Sequence, residues 1–283
     1  MDVNIPYDEE NDRIFYKNPS LQGVHVDIGN GIFAIMFSED GHSPQHFITN
    51  PELIIKYLFM LIPKIKALVP MKGHSERVPN KNIRPLAGKP AFHWIMETLS
   101  KSKYIDEIII NTDSDEIAEN AQRYFKVTIL KRPNYLLGDM VSIQPLIEYD
   151  LSQTTGEYYL QTHSTNPLLT TETIDKGIET FFSQKEHDAL FSVTAVKTRF
   201  YWPDGTGINH DPKHLIRTQD LEPIYEENSC FYIFSKETNQ KIKNRLGSNP
   251  LMFPIDRLEA VDIDDIEDFY WAEFLLHRKI IDE

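Results

Sequence analysis

From about residue 64 the chain alternates short apolar runs with segments of helical period. Ala67–Val69, Ile108–Asn111, Val127–Leu130, Tyr158–Gln161 and Ala189–Ala195 have the length and composition of buried strands. Between them, the run from Ala91 and the segments Glu116–Phe125, Ser142–Leu151 and Thr171–Phe182 read as helices. Ser229–Phe234 and Leu251–Ile255 are further strands, and a helix is expected from Ile266 to about His277, with Phe269, Ala272 and Leu276 facing the core. Strands alternating with helices predict an α/β protein whose mostly parallel sheet is covered on both faces. Ligands of such sheets gather beyond the carboxyl ends of the strands. That places three polar clusters on one rim: Met71–Asn82, Asn111–Ser114 and Gln161–Asn166.

Two regions depart from this rhythm. Residues 1–63 read as an N-terminal extension separate from residues 64–283. Val24, Val26 and Ile28 alternate with polar neighbours, Gly29-Asn30-Gly31 is turn chemistry, and Ile32–Phe37 is apolar, so a β-hairpin is expected. Asn50-Pro51-Glu52 then has the order of a helix start, with an apolar helix to about Ile62. A hairpin and one helix bury little surface by themselves, so the extension is expected to pack on the main domain or on a second subunit. His25, Asp27, His42 and His46 match no metal-ligand spacing. Thr198–Pro223, with Tyr201, Trp202, Pro203, Gly205, Gly207 and Pro212, reads as a long excursion from the sheet. Excursions of this length are usually functional or interfacial.

Composition narrows the classes. With 283 residues, 41% hydrophobic and 25% charged, the chain can bury a full core. A net charge of −14 argues against nonspecific binding to nucleic acid or to acidic membranes. Cys230 is the single cysteine, which excludes an intrachain disulfide and a cysteine-based zinc site. Met1-Asp2 opens an acidic stretch unlike a secretory signal, and the apolar Leu53–Ile62 is too short to span a bilayer. A soluble cytoplasmic protein is expected.

Against that negative total, Lys72, Arg77, Lys81, Arg84 and Lys89 crowd behind the first strand, with Gly73, Ser75 and Gly88 among them. A strand-end loop carrying glycine, a hydroxyl and cations suits a polyphosphate, which backbone N–H groups and Ser75 can meet as donors. A solvated basic face would look similar, and the loop lacks Walker A spacing. Asp262 and Asp264 stand two apart on a strand-like segment, so both carboxylates can face one side and suit Mg²⁺. Asp264-x-x-Glu267 is equally an acidic helix-capping pattern. His163 beside Ser164 has no nucleophile elbow around it, which argues against hydrolase chemistry.

Ser75-x-Arg77-x-Pro79-x-Lys81-Asn82, followed by Leu86-x-Gly88-Lys89-Pro90, resembles the signature loop of the sugar-acid cytidylyltransferases, which include the acylneuraminate (CMP-sialic acid) and Kdo enzymes. The motif matches extend over about residues 64–283. The resemblance implies a Rossmann-like three-layer nucleotidyltransferase fold of the GT-A-like kind, with the segment at about 198–223 as a dimerisation arm. It implies that CTP and a nonulosonic, sialic-acid-like sugar give a CMP-sugar and pyrophosphate. Kdo or another small acceptor, or a catalytically weakened nucleotide-binding regulatory or assembly subunit, are the alternatives. By the same resemblance Asp262 and Asp264 hold Mg²⁺ (or Mn²⁺) and act in catalysis with Lys81, which contacts the triphosphate. Lys72, Ser75, Arg77, Asn82 and Asp113 fall at nucleotide-binding positions, and Gln161 and Asn228 at sugar-binding ones. Asp139 matches a recurrent acid with no assigned role, and Arg84 and Lys89 read as structural or surface residues. The implied partners are CTP, an acidic sugar and further copies of the chain in a homodimer or higher homo-oligomer, with no nucleic acid and no membrane. The chain departs from the acylneuraminate pattern at Lys72, where arginine is usual, and at Glu76, where lysine is usual. Leu168-Leu169 stands where an arginine is common, which removes one candidate partner for the substrate carboxylate.

Overall fold

The computed structural model describes residues 3–8, 13–16, 62–138 and 140–282. The chain divides into two compact units, Met1–Ile62 and Pro63–Glu283. In the first, β1 (Val3–Asp8) pairs antiparallel with β2 (Arg13–Tyr16) through an irregular register. The hairpin expected around Gly29-Asn30-Gly31, the helix expected from Asn50, the four histidine and aspartate positions between 25 and 46, and Asp139 lie outside the described residues.

The second unit begins with β3 (Ile65–Met71). A two-residue turn at Ala87-Gly88, both with positive φ, joins β4 (Pro85–Leu86) to β5 (Lys89–Pro90). Such turns match the twist of paired strands and favour glycine. Then follow α1 (Ala91–Lys101), β6 (Ile105–Thr112), α2 (Asp115–Tyr124), β7 (Val127–Lys131), α3 (Ile143–Gln153), β8 (Tyr158–Thr162), α4 (Thr171–Ser183) and β9 (Ala189–Val196). After the excursion come β10 (Ile224–Ser235), α5 (Lys236–Ile242), β11 (Pro250–Pro254) and α6 (Ile266–Asp282).

Seven strands make one sheet in the order β11-β9-β10-β8-β3-β6-β7. β10 runs antiparallel to β8 and β9, and the other pairings are parallel. Side-chain alternation on β10 shows how the layers divide. Tyr232 and Phe234 join Leu68, Ile109 and Tyr159 in a cluster with Ile147 and Leu151 of α3. Phe231 faces the other way, onto α4, where a Cβ at Gly177 would stand 2.8 Å from its ring. Glycine therefore lets α4 lie close on the sheet. Ser114, Thr170 and Ser235 cap α2, α4 and α5 by accepting N–H groups of the first turn.

Three elements of the second unit differ from the sequence reading, two of them for a local reason. β10 starts at Ile224 rather than Ser229, because Ile224–Glu227 pair with β9 before a bulge that ends at Tyr232. α5 was not expected, since Lys-Glu-Thr-Asn-Gln-Lys carries no apolar period. α6 continues past His277 to Asp282. The excursion between Val196 and Ile224 contains one bridge, Tyr201 to Gly207, and one short 3-10 turn, and it exposes Trp202, Leu215 and Ile216. Among the described residues no helix is long and apolar enough to cross a membrane.

Candidate active site

β3, β6 and β8 run parallel and end on one rim, at Met71, Thr112 and Thr162. Antiparallel β10 enters on the same rim, with Phe231 opposite Thr162. A cleft of ≈ 590 Å³ opens there, lined on one wall by Lys72, Ser75, Arg77, Lys81 and Asn82 and elsewhere by His163, Arg245, Asp262 and Asp264.

The loop after β3 is held from three directions. Gly73 N–H donates to Asp113 Oδ1 at 2.7 Å, and a Cβ at Gly73 would lie 2.8 Å from Ser114 Cβ. Asn82 Nδ2 donates to Lys72 O at 2.8 Å, and Asn82 Oδ1 accepts from Ser164 Oγ at 2.6 Å. Val78 is buried with Leu86, Ile263 and Phe269, so apolar packing fixes the middle of a polar loop. Below it, buried Arg132 donates to Met71 O (3.1 Å), Asn111 O (2.9 Å) and Asn111 Oδ1 (2.8 Å) and so ties the ends of β3 and β6 together. Asn111 Nδ2 in turn donates to Asp150 Oδ1 at 2.5 Å. Burial pushes the Asp150 carboxyl up to about 7.

The late aspartates reach this loop across the chain. Ile263 is buried and its N–H donates to Thr165 O at 3.0 Å, so Asp262 and Asp264 on either side of it line the cleft. The segment belongs to no strand. Lys81 Nζ donates to Ile263 O at 2.6 Å, between the two acids. Burial lowers the Lys81 ammonium below its ordinary range, while Asp262 and then Asp264 draw it back up. Arg77 Nη2 meets Asp264 Oδ1 at 2.7 Å. Asp262 Oδ1 is buried and accepts no hydrogen bond. Burial raises the Asp262 carboxyl; Thr165 opposes this and neighbouring Asp264 adds to it.

The helix cap goes to a different residue from the one the pattern offered. Asp265 Oδ1 accepts the Asp268 N–H (2.9 Å), and Asp268 Oδ2 accepts the N–H groups of Asp264 (3.0 Å) and Asp265 (3.1 Å). Asp264 therefore keeps its carboxylate in the cleft. Two hard oxygen donors, one buried without a partner, fit a magnesium or manganese ion. Among the described residues no group of three or more His, Cys, Asp or Glu forms a metal cluster, so phosphate and water would complete the coordination.

Other expected site residues are placed differently. Asp113 braces Gly73 behind the loop. Asn228 accepts from Ser192 Oγ (2.6 Å) and Cys230 N–H (3.2 Å) and donates to Thr194 Oγ1 (3.0 Å), so its side chain is committed to the β9–β10 join. Gln161 is fully buried, and its Oε1 accepts from Arg245 Nη1 at 2.6 Å. Arg84 lies over the Phe269 ring at 4.8 Å, and Lys89 lies over Trp94 at 3.5 Å and pairs with Glu97. His163 lines the cleft, and burial, with Arg245 and Lys81 nearby, pulls its imidazole down to about 4. Ser164 donates to Asn82, so no histidine-serine nucleophile forms. Sequence reasoning missed Arg132 and Arg245. Arg132 had a signal, a cation at a strand end on the ligand rim; Arg245 had none.

Comparison with known proteins agrees with this architecture. The chain is 27% identical over 220 residues to post-translational flagellin modification protein B of Campylobacter coli, covering 74% of this chain and 93% of that protein. It is 26% identical over 219 residues to pseudaminic acid cytidylyltransferase of Campylobacter jejuni, covering 74% and 94%. Among solved structures, a CMP:2-keto-3-deoxy-manno-octonic acid synthetase complexed with CTP shares the fold, with a TM-score of 0.57, 11% identity and coverage of 76% of this chain and 99% of that one. Residues 66–280 match the family model described as cytidylyltransferase, and the chain belongs to that family.

Proposed function

We propose that the chain transfers a cytidylyl group from CTP to the anomeric hydroxyl of a nonulosonic, sialic-acid-like sugar and releases pyrophosphate. The observation that carries this reading is the meeting of the early basic loop with the late acidic pair: Lys81 Nζ on Ile263 O and Arg77 on Asp264, across more than 180 residues of chain. Family membership and a relative named for pseudaminic acid support the acidic sugar.

The chain's own residues would divide the work as follows. Lys72, Ser75, Arg77 and Lys81 hold the triphosphate and balance the charge that gathers on departing pyrophosphate. A metal ion on Asp262 and Asp264 would polarise the α-phosphate and lower the pKa of the attacking hydroxyl. Asn82, Asp113 and Arg132 keep the loop and strand ends rigid, so that the hydroxyl and the α-phosphorus meet in line. No side chain needs to form a covalent intermediate. The exposed Trp202, Leu215 and Ile216 support the excursion as the contact with a second copy of the chain.

Pyrophosphate release, assayed with each nucleoside triphosphate and a panel of sugar acids, tests the reading. Turnover with CTP and a nonulosonic acid is expected. Turnover with Kdo alone moves the acceptor. Tight CTP binding without turnover for any acceptor defeats the enzymatic reading in favour of a nucleotide-binding subunit.

A further inference from the structure

Lys72, Arg77 and Lys81 of the early loop line one wall of the cleft. Arg245 approaches from another, on the segment after α5 whose last turn closes at Lys243 in a left-handed conformation. Its side chain is 16% exposed and its guanidinium lies 3.5 Å from the centroid of the Tyr232 ring. Nη1 donates to Gln161 Oε1 at 2.6 Å, and Gln161 is itself fixed by donating from Nε2 to Thr162 O at 2.9 Å. Stacking on Tyr232 sets the plane of the guanidinium, and Gln161 sets its rotation within that plane. What remains is an oriented N–H edge in the cleft.

The charge of this group is loosely answered. Its ion-pair partner Glu227 stands 3.8 Å from Nη2, beyond hydrogen-bond distance, and has a side chain 43% exposed. Glu227 Oε1 also accepts the Tyr232 hydroxyl. A mostly buried guanidinium with a distant, solvent-facing counter-ion is poised for a planar anion that brings two oxygens. Leu168 and Leu169 are buried in the core and offer no cation to the cleft.

The position also distinguishes the anion. Arg245 and Lys81 both act on the His163 imidazole, which lines the cleft with them. Arg245 therefore reaches the neighbourhood of the Lys81–Asp262–Asp264 group without belonging to the phosphate wall. In a 2-keto sugar acid the attacking hydroxyl and the carboxylate sit on the same carbon. A sugar whose hydroxyl faces the α-phosphate must place its carboxylate a bond or two away, next to the reacting centre. We propose that Arg245, oriented by Gln161 and Tyr232, is the residue that binds the substrate carboxylate and selects acidic sugars over neutral ones. This rests on the cytidylyl-transfer reading above and adds a specificity determinant to it.

The test compares wild type with R245Q by pyrophosphate release at saturating CTP. The acceptors are pseudaminic acid, N-acetylneuraminic acid and the carboxamide of whichever acid turns over. Loss of a charge-assisted pair is expected to raise KM for the acid by about 10- to 100-fold. KM for CTP is expected to stay within about 3-fold, as for removal of a contact to one substrate. The wild-type preference for acid over carboxamide is expected to collapse in R245Q, and to be intermediate in R245K, which keeps the charge but loses the fork. A purely structural arginine would weaken acid and carboxamide equally; an unchanged preference overturns the proposal. Should R245Q fail to fold, an unchanged preference in folded R245K overturns it equally. Wild type that turns over no sugar acid defeats the parent reading and this one with it. Turnover with an unaltered preference in the variant defeats this one alone.

Discussion

Replacing Asp262 by asparagine should separate what the fold needs from what the site needs. The Asp262 carboxylate is largely buried, its Oδ1 has no donor, and burial raises its carboxyl above the ordinary 3.8. Because the folded form holds its proton to higher pH than the unfolded chain, Asp262 favours folding at low pH. That contribution is lost as pH rises through the raised folded value. At neutral pH the ionised group therefore opposes folding. An unmet buried polar group costs about 1–3 kcal/mol and more when it is charged, and asparagine removes the charge while keeping the shape. Attraction to Lys81 offsets part of that cost but less than burial imposes, since the carboxyl stays raised. D262N should thus gain about 1 kcal/mol without ligands, a rise in Tm of about 2–4 °C for a domain of this size. Its kcat/KM should fall by about 10³-fold, the several kcal/mol that a bound metal supplies. Differential scanning fluorimetry with and without magnesium and CTP reads both sides. Wild type should be stabilised by the pair together and D262N much less. A ligand-free D262N less stable than wild type by more than about 1 kcal/mol would refute the account of burial. Activity within about tenfold of wild type would refute the placement of Asp262 at the metal.

The Arg77–Asp264 pair is 65% and 54% exposed, so R77A should change stability by less than about 1 kcal/mol. Its kcat/KM for CTP should nevertheless fall about 10- to 100-fold; urea melts and initial rates check both, and an active, destabilised R77A contradicts the assignment. R132M leaves two carbonyls and Asn111 Oδ1 without their donor and should lose about 3–5 kcal/mol in urea unfolding, whereas a loss under about 1 kcal/mol would mean the strand ends are held otherwise. His163, held near 4 in the folded chain against an ordinary 6.5, takes up its proton more readily when unfolded. Wild type should therefore lose at most about 3 kcal/mol as pH falls from about 6.5 to 4. The difference between wild type and H163Q across that window isolates the effect, and parallel curves would contradict it.

The order of strands and helices was legible because each strand is an apolar run with polar ends. The cationic loop was legible because its chemistry is packed into about twenty residues. What sequence pattern could not resolve was which rim residues face the cleft. Asp113 follows the end of β6 and Asn228 sits in the bulge of β10, on the rim where ligand-binding residues usually stand, yet both brace backbone or neighbouring side chains. The reason is general: strand ends at an open rim leave carbonyl and N–H groups that must be paired, and short polar side chains are the nearest partners. Cap and ligand roles at Asp264 were indistinguishable by spacing, since Asp265 and Asp268 offer the same pattern one residue later.

Bonding state separates what position cannot. Asn228 and Arg132 spend their polar groups within the protein, so ligand arrival would have to break an existing contact. Asp262 and Arg245 differ: one carries a buried oxygen with no donor, the other a stacked guanidinium whose counter-ion stands too far for a hydrogen bond. Such unmet valence in a mostly buried site is unfavourable for the empty protein, and a cation and an anion respectively would relieve it. The two groups have opposite sign and share one cleft with Lys81, which already donates between the aspartates. A metal-bound nucleotide on one side and a sugar carboxylate on the other would satisfy both at once. On this reasoning occupancy of either half should raise affinity for the other, because the two opposite charges share one cleft; CTP affinity measured with and without the sugar acid checks it, and equal affinities would refute it.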